Sequence, residues 1–119
     1  MAAPSPTPRL ADIIQAIELI RSETAGVTLA AFESDIRKRW LVERGVEIIS
    51  EASRHLPAAM KARHPGIRWP KVAGIGNVLR NDYERVAHDV LWHVVRKDLP
   101  KLYQVCRAEF AAEQDRDGA

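Results

Sequence analysis

Apolar residues recur every three or four positions along most of this chain, the spacing that gives an α-helix one buried face. The first series is Leu10, Ile13, Ile14, Ile17 and Ile20. Thr7 is a typical N-cap and Pro8 suits the first helical position, so a helix is predicted to begin there and to end at Ala25-Gly26. No segment shows the alternation typical of a strand, and the chain is therefore predicted to be all-α.

The next predicted long helix runs from Asp35 to His55 and stops before Pro57. Its inward stripe is Ile36, Leu41, Gly45, Ile48, Ile49, Ala52 and Leu56. Gly45 falls on the buried side, where the missing side chain would let another helix approach closely. Short helical turns are predicted before and after this helix, from Thr28 to Glu33 and from Ala58 to Arg63.

A third helix is predicted to start at Trp69-Pro70, and a fourth to run from about Ala87 to Ala111. The inner face of the third comprises Val72, Ile75, Leu79, Tyr83 and Val86, and that of the fourth Leu91, Val94, Val95, Leu102 and Val105. Pro100 should kink or split the fourth helix after Leu99, because proline lacks the N–H and its ring crowds the preceding turn. The predicted fold is an antiparallel bundle of four or five helices.

The length of 119 residues fits one domain, and 46% hydrophobic with 29% charged residues is typical of a chain that folds. We expect a disordered tail over 1–8, a helical bundle over 9–112 and a frayed tail over 113–119. The start of the chain is unlike a signal peptide, and no apolar run reaches the length of a membrane span. Cys106 is the single cysteine, so no internal disulfide can form and a cytoplasmic location is expected.

The histidines do not show the spacing of four residues that places two metal ligands on one helix face: they are His55, His64, His88 and His93. No metal site and no cofactor are therefore predicted. Cys106 has no histidine close in sequence, so a buried structural thiol is a better interpretation than a nucleophile.

The segment from Gly74 to Arg85 is the most informative one for function. On a helix, four polar residues spaced by three or four positions would project together: Asn77, Arg80, Asn81 and Glu84. An arginine beside amides is suited to holding a phosphate through charge-assisted hydrogen bonds. The alternative is a solvated helix face with an Arg80–Glu84 pair, and Tyr83 at its edge could equally be a half-buried packing residue.

A second polar feature is the basic cluster Arg37-Lys38-Arg39, with Arg44 on the same predicted helix. It is either a solvated outer face or a surface that contacts RNA phosphates, and the net charge of +2 is too small to indicate a nucleic-acid binder by itself. The candidate RNA-binding residues are Arg37, Lys38, Arg39 and Asn77. The tryptophans are interpreted as core or dimer-interface residues: Trp40, Trp69 and Trp92.

Several blocks of the sequence are familiar in their order and spacing. They are Ile-Ile-Ser-Glu-Ala-Ser-Arg over 48–54, Arg63-His64-Pro65, Trp69, Ala-Gly-Ile-Gly-Asn over 73–77 through Tyr83, Val90-Leu91-Trp92 and Asp98-Leu99-Pro100. With these blocks the chain resembles the HepT-like family of the HEPN superfamily. The resemblance implies an all-α HEPN bundle, a symmetric homodimer, and an RNase toxin that works beside a minimal nucleotidyltransferase antitoxin.

The family's active motif is an arginine, four residues, a histidine, one residue and a tyrosine. On this sequence it falls on Gly76, Asn81 and Tyr83, so only the tyrosine matches. Some members instead read Gly-Asn-x-Leu-Arg-His-x-Tyr. The positions that agree with that variant are Gly76, Asn77, Leu79, Arg80 and Tyr83. Asn81 alone departs, and the resemblance thus implies Arg80, Asn81 and Tyr83 as the catalytic positions.

The departure at Asn81 bears on mechanism. Metal-independent RNA cleavage needs one group to move a proton at the 2′-hydroxyl or the leaving oxygen and another to stabilise the phosphate. Histidine can do the first and Arg80 the second, whereas asparagine does not titrate. The resemblance also implies that the antitoxin transfers AMP to Tyr83, which would block the site.

Three hypotheses stay open at this point. The chain is a ribonuclease toxin whose Asn81 form is inactive or weak, or it is a non-catalytic partner that a nucleotidyltransferase binds and AMPylates at Tyr83. A plain helical dimerisation module would explain the apolar periodicity but not the clustered polar segment.

Overall fold

A computed structural model of the protein describes residues 5–81 and 85–118, without the side chains of residues 78–87. Its helices are α1 (Thr7–Thr24), α2 (Leu29–Ser34), α3 (Ile36–Arg54), α4 (Ala58–Ala62), α5 (Trp69–Asn81), α6 (Arg85–His93) and α7 (Leu99–Gly118), with a π-helical turn (Val94–Asp98) between α6 and α7. No strand occurs within these ranges, and the predicted all-α class is confirmed. In the same ranges, no helix combines the length and the apolar character needed to cross a membrane. The predicted domain limits stay predictions.

α1 begins one residue earlier than predicted. Pro6 is its N-cap, because the carbonyl of Pro6 accepts from the N–H of Leu10 at 3.0 Å. The hydroxyl of Ser5 accepts from the N–H of Thr7 at 3.2 Å, so Thr7, predicted as the N-cap, is already helical. The predicted end is confirmed: Gly26 has a φ of 71°, a left-handed conformation that glycine adopts without strain.

Side chains cap the starts of α2 and α3, the first by Thr28 as predicted and the second by Asp35, whose role was not predicted. The hydroxyl of Thr28 accepts from the N–H of Ala31 at 3.1 Å, as predicted for the short helix that follows it. The carboxylate of Asp35 accepts from the N–H groups of Arg37 and Lys38 at 3.1 and 3.2 Å. Both caps satisfy N–H groups that have no partner within their own helix.

The buried stripe of α3 differs from the prediction at Ile36, and it includes Val42 and Val46, which were not predicted. Ile36 was predicted to face inward, but it is 48% exposed. It precedes the buried Val42 by six residues, which at about 100° per residue places it about 120° away around the helix. The residues at the centre of the stripe are Val42, Val46 and Ile49, with Leu41 and Ile48 half-buried beside them.

Gly45 confirms the predicted close approach of two helices. A Cβ added to Gly45 would lie 2.7 Å from Cδ1 and 3.0 Å from Cγ1 of Ile20 on α1. Ile20 is fully buried, so its side chain has little room to move away. The contact between α1 and α3 therefore depends on the missing side chain at Gly45.

Pro100 does not split the last helix, because the chain is helical from Arg85 to Gly118. The predicted irregularity takes the form of the π-helical turn, in which the N–H of Leu99 bonds to the carbonyl of Val94. A proline cannot donate to the carbonyl four residues earlier, and its ring crowds that carbonyl. One wider turn directly before Pro100 accommodates both effects.

The structure also contains a buried carboxylate that the sequence analysis did not identify. Glu109 on α7 is 8% exposed, accepts a hydrogen bond from Nη2 of Arg63 at 2.7 Å, and lies 2.7 Å from Nε2 of His64. The bond from Arg63 holds the pKa of Glu109 below its usual value, against the opposite effect of burial and with the help of His64. These contacts fasten the connection between α4 and α5 to α7.

Cys106 is a fully buried thiol, as predicted. Burial raises the pKa of the Cys106 thiol to about 12, because a thiolate would lose its hydration there. The thiol is therefore protonated at neutral pH and packs as an apolar group.

Two glycine substitutions test the contact between α1 and α3. Gly45→Ala should lower the free energy of unfolding by about 1–2 kcal/mol, because overpacking costs more than alanine gains over glycine in a helix. The matched control is Gly74→Ala on α5, where an added Cβ meets nothing within 4 Å. It should raise the free energy of unfolding by about 0.5–1 kcal/mol. Urea unfolding followed by circular dichroism measures both, and equal stabilisation by the two would contradict the prediction.

Glu109→Gln tests the buried carboxylate. Because the folded pKa of Glu109 is lowered, its charge stabilises the fold above the ordinary value of 4.5, and this contribution is lost as the pH falls through the folded pKa. We expect the variant to lose about 1–3 kcal/mol at neutral pH. The difference in unfolding free energy between the variant and the wild type should shrink when the pH falls below 4.5. Unfolding free energies across this pH range check the sign, and Glu47→Gln, which removes an exposed partner of Arg44, should change little.

Candidate active site on helix α5

Two of the three predicted catalytic positions lie at the end of α5. Arg80 and Asn81 occupy its last turn, but their side chains lie outside the described part of the chain. Tyr83 lies outside the described residues altogether. Asn77 is exposed one turn earlier, and its spacing puts it on the same side of α5 as positions 80 and 81. That the three catalytic groups converge stays a prediction.

Helix α5 is held on α3 by two side chains that share one acceptor. The hydroxyl of Ser50 donates to the carbonyl of Ala73 at 2.6 Å, and Nη2 of Arg54 donates to the same carbonyl at 2.7 Å. Ser50 is 1% exposed, so its bond is protected from water. Because Ala73 lies one turn before Asn77, these bonds fix the rotation of the helix that carries the polar segment.

The start of α5 has two further anchors. Nε1 of Trp69 donates to the carbonyls of Lys61 and His64 at 3.0 and 3.2 Å. Nζ of Lys71 lies 3.3 Å from a carboxylate oxygen of Asp98 in the π-helical turn. The first turn of α5 is thus tied both to the end of α4 and to the segment that leads into α7.

The part of the chain that follows the polar segment, α6 and the π-helical turn, is also fixed by contacts with the rest of the protein. The rings of Trp92 on α6 and Phe32 on α2 lie 5.1 Å apart between centroids. The guanidinium of Arg96 stacks 4.4 Å above the Trp92 ring and donates to the carbonyls of Thr24 and Val27 at 3.1 and 2.7 Å. Residues 77–85 therefore connect two parts of the chain whose positions are set by packing and hydrogen bonds.

The basic cluster on α3 is partly engaged within the protein. Lys38 forms an ion pair with Glu23 at 3.5 Å, and the guanidinium of Arg39 donates to the carbonyl of Glu33. Arg37 is exposed on the first turn of α3. These contacts favour a structural role for Lys38 and Arg39, and RNA contact by the cluster stays a prediction.

The tryptophans divide into two groups. Trp69 and Trp92 are half-buried against the core, which agrees with their interpretation as packing residues. Trp40 is 64% exposed on α3, so its role as an interface residue stays a prediction. Within the described ranges, no three His, Cys, Asp or Glu side chains come together as metal ligands would.

One cleft beside α5 was missed by the sequence analysis. It has a volume of about 260 Å³ and lies between α5, the π-helical turn and the start of α7. The cationic residues at its edge are Arg68, Lys71, Lys97 and Lys101. They come from two segments that are far apart in sequence, so no local sequence pattern could predict the cleft.

Comparison with known proteins relates this chain to HepT-like ribonucleases. The sequence matches the family model described as "Ribonuclease HepT-like" over residues 13–109. A protein of Thermococcus cleftensis named "Probable ribonuclease HepT" is 39% identical over 93 residues, which cover 78% of this chain and 84% of the relative. A "Putative RNase" of Caldanaerobacter subterraneus subsp. tengcongensis is 29% identical over 98 residues, covering 82% of this chain and 88% of the relative. No solved structure matches the chain.

Proposed function

This chain belongs to the HepT-like ribonuclease family, and we propose that it is the RNase toxin of a toxin–antitoxin pair whose antitoxin is a minimal nucleotidyltransferase. The observation that carries the proposal is the family match over residues 13–109, which spans the polar segment of α5. The substrate is RNA. Arg80, Asn81 and Tyr83 from both subunits of a homodimer would form the site.

The proposed reaction is metal-independent cleavage of the RNA backbone. The 2′-oxygen attacks the adjacent phosphorus while the bond to the 5′-oxygen breaks, so the 2′-hydroxyl loses a proton and the 5′-oxygen gains one. Arg80 would stabilise the crowded phosphate by charge-assisted hydrogen bonds. Asn81 can hold a hydrogen bond but cannot transfer the proton, which lowers the rate by about 10²–10⁴. The form with Asn81 is therefore proposed to be inactive or weak.

Asn81 also favours a second candidate function. Because Asn81 does not titrate, the chain would serve as a non-catalytic partner that the nucleotidyltransferase binds and modifies. In that reaction the phenol oxygen of Tyr83 attacks the α-phosphorus of ATP, pyrophosphate leaves, and the phenol proton passes to solvent. A nearby guanidinium at Arg80 would favour the resulting phosphodiester.

Asn81→His tests the ribonuclease proposal. Expressed without an antitoxin, this variant should slow growth and cleave cellular RNA about 10²–10⁴ times faster than the wild type, because histidine restores proton transfer. The matched control is the double variant Arg80→Ala/Asn81→His, which should lose most of the gained activity. Absence of cleavage by a folded Asn81→His protein would contradict the ribonuclease proposal and favour the non-catalytic partner.

The AMPylation proposal is tested by intact mass. After incubation with ATP and the nucleotidyltransferase encoded beside it, the wild type should gain the mass of one AMP group per chain. Tyr83→Phe should gain none, because it lacks the attacking oxygen. Tyr103→Phe is the control and should be modified like the wild type, since the hydroxyl of Tyr103 already bonds to Glu18 at 2.9 Å. An adduct that persists in Tyr83→Phe would refute modification at this residue.

A further inference from the structure

We propose that the cleft between α5, the π-helical turn and α7 binds one nucleotide of a single-stranded RNA. The base would lie on the apolar floor of the cleft and the phosphate at its basic edge. The inference rests on the proposed function for the identity of the ligand, because an RNA-cleaving protein must also hold the RNA beside the cleavage point.

The floor of the cleft is apolar and comes from four different parts of the chain. Its residues are Val46, Ile49, Ile67, Val72, Ile75, Val94, Leu99 and Leu102. Most of these side chains belong to the buried core, so the floor is preformed rather than assembled by the ligand. The volume of about 260 Å³ is just below the range of about 300–1,000 Å³ that ligand pockets usually have, so the cleft can take the base while the phosphate stays outside it.

The edge of the cleft carries an excess of positive charge. Four cations and the single carboxylate of Asp98 line it, which gives 4 − 1 = +3. Asp98 pairs with Lys71. In the described part of the chain, Arg68, Lys97 and Lys101 form no ion pair, and all three are exposed. Their charges are therefore available to an anion.

Gly66 contributes to this arrangement by leaving room for Lys101. A Cβ at Gly66 would lie 2.9 Å from Nζ of Lys101, so the ammonium group rests where a side chain at 66 would otherwise stand. The ammonium group of Lys101 therefore lies next to the backbone at Gly66, at the opening of the cleft. Unpaired cations above an apolar floor suit a ligand that joins an anionic group to a weakly polar one, as a nucleotide does.

Among the described residues, the cleft is lined by the middle of α5, and Arg80 and Asn81 follow at the end of that helix. Ile75 lines the cleft, and Arg80 follows it by five residues on α5, a rise of about 7.5 Å. Five residues also rotate position 80 by about 140° around the helix. An RNA strand crossing α5 would therefore place one nucleotide in the cleft and a phosphate a few nucleotides away at the end of the helix. The cleft would position the RNA and would not take part in proton transfer.

The double variant Lys97→Gln/Lys101→Gln tests the basic edge. The matched control is Arg9→Gln/Arg107→Gln, which removes the same charge at positions that do not line the cleft. Binding of a short fluorescent single-stranded RNA is measured by anisotropy over a range of salt concentrations. The cleft variant should bind about tenfold more weakly, and its slope of log affinity against log salt should be shallower by about 1.4, or 0.7 for each lost phosphate contact. Equal affinities of the two double variants would overturn the proposal.

A second comparison tests the floor. Val72→Phe should fill part of the cleft and weaken binding of the base-containing RNA several-fold, while binding of an abasic ribose-phosphate chain of equal length should not change. Unaltered thermal melting shows that the variant is folded. Base binding would be overturned if Val72→Phe weakened binding of both ligands equally. It would also be overturned if polyglutamate displaced the bound RNA as effectively as unlabelled RNA does. If the wild type binds no RNA at all, the proposed function fails instead, so the two failures are distinguishable.

Discussion

The contact between α1 and α3 determines where the other helices lie. Gly45 and Ile20 meet so closely that a side chain at 45 would force the Ile20 side chain to shift. α5 packs on α3 and α7 packs on α1, so both take their positions from this pair. The bonds from Ser50 and Arg54 to Ala73 then fix α5 on α3. These contacts set the position of α5, whose last turn carries Arg80 and Asn81.

Pro100 has an effect on the surface as well as on the helix that contains it. Because it cannot accept the usual helical geometry, the preceding residues form a π-helical turn. This turn presents Lys97 and Asp98 toward the cleft, and Lys101 follows one residue after the proline. The backbone restriction at Pro100 thus shapes most of one side of the cleft beside α5.

The shifted pKa values in the described part of the chain arise from structural contacts and from burial. Glu109 stays ionised because Arg63 and His64 bind it, and Cys106 stays protonated because it is buried. Neither group lies on α5. The proposed chemistry therefore depends on positions 80, 81 and 83, where Arg80 can hold a phosphate but Asn81 cannot move a proton.

The sequence alone determined the all-α class, most helix limits, the cap at Thr28 and the close approach at Gly45, because each depends on residues that are near one another in the chain. It also determined which family the chain belongs to. Tertiary structure decided what depends on distant residues: the bond of Glu109 to Arg63, the exposure of Ile36, and the cleft that gathers cations from two segments. Such contacts follow from how helices pack, and the periodicity of one helix carries no information about the charges on another.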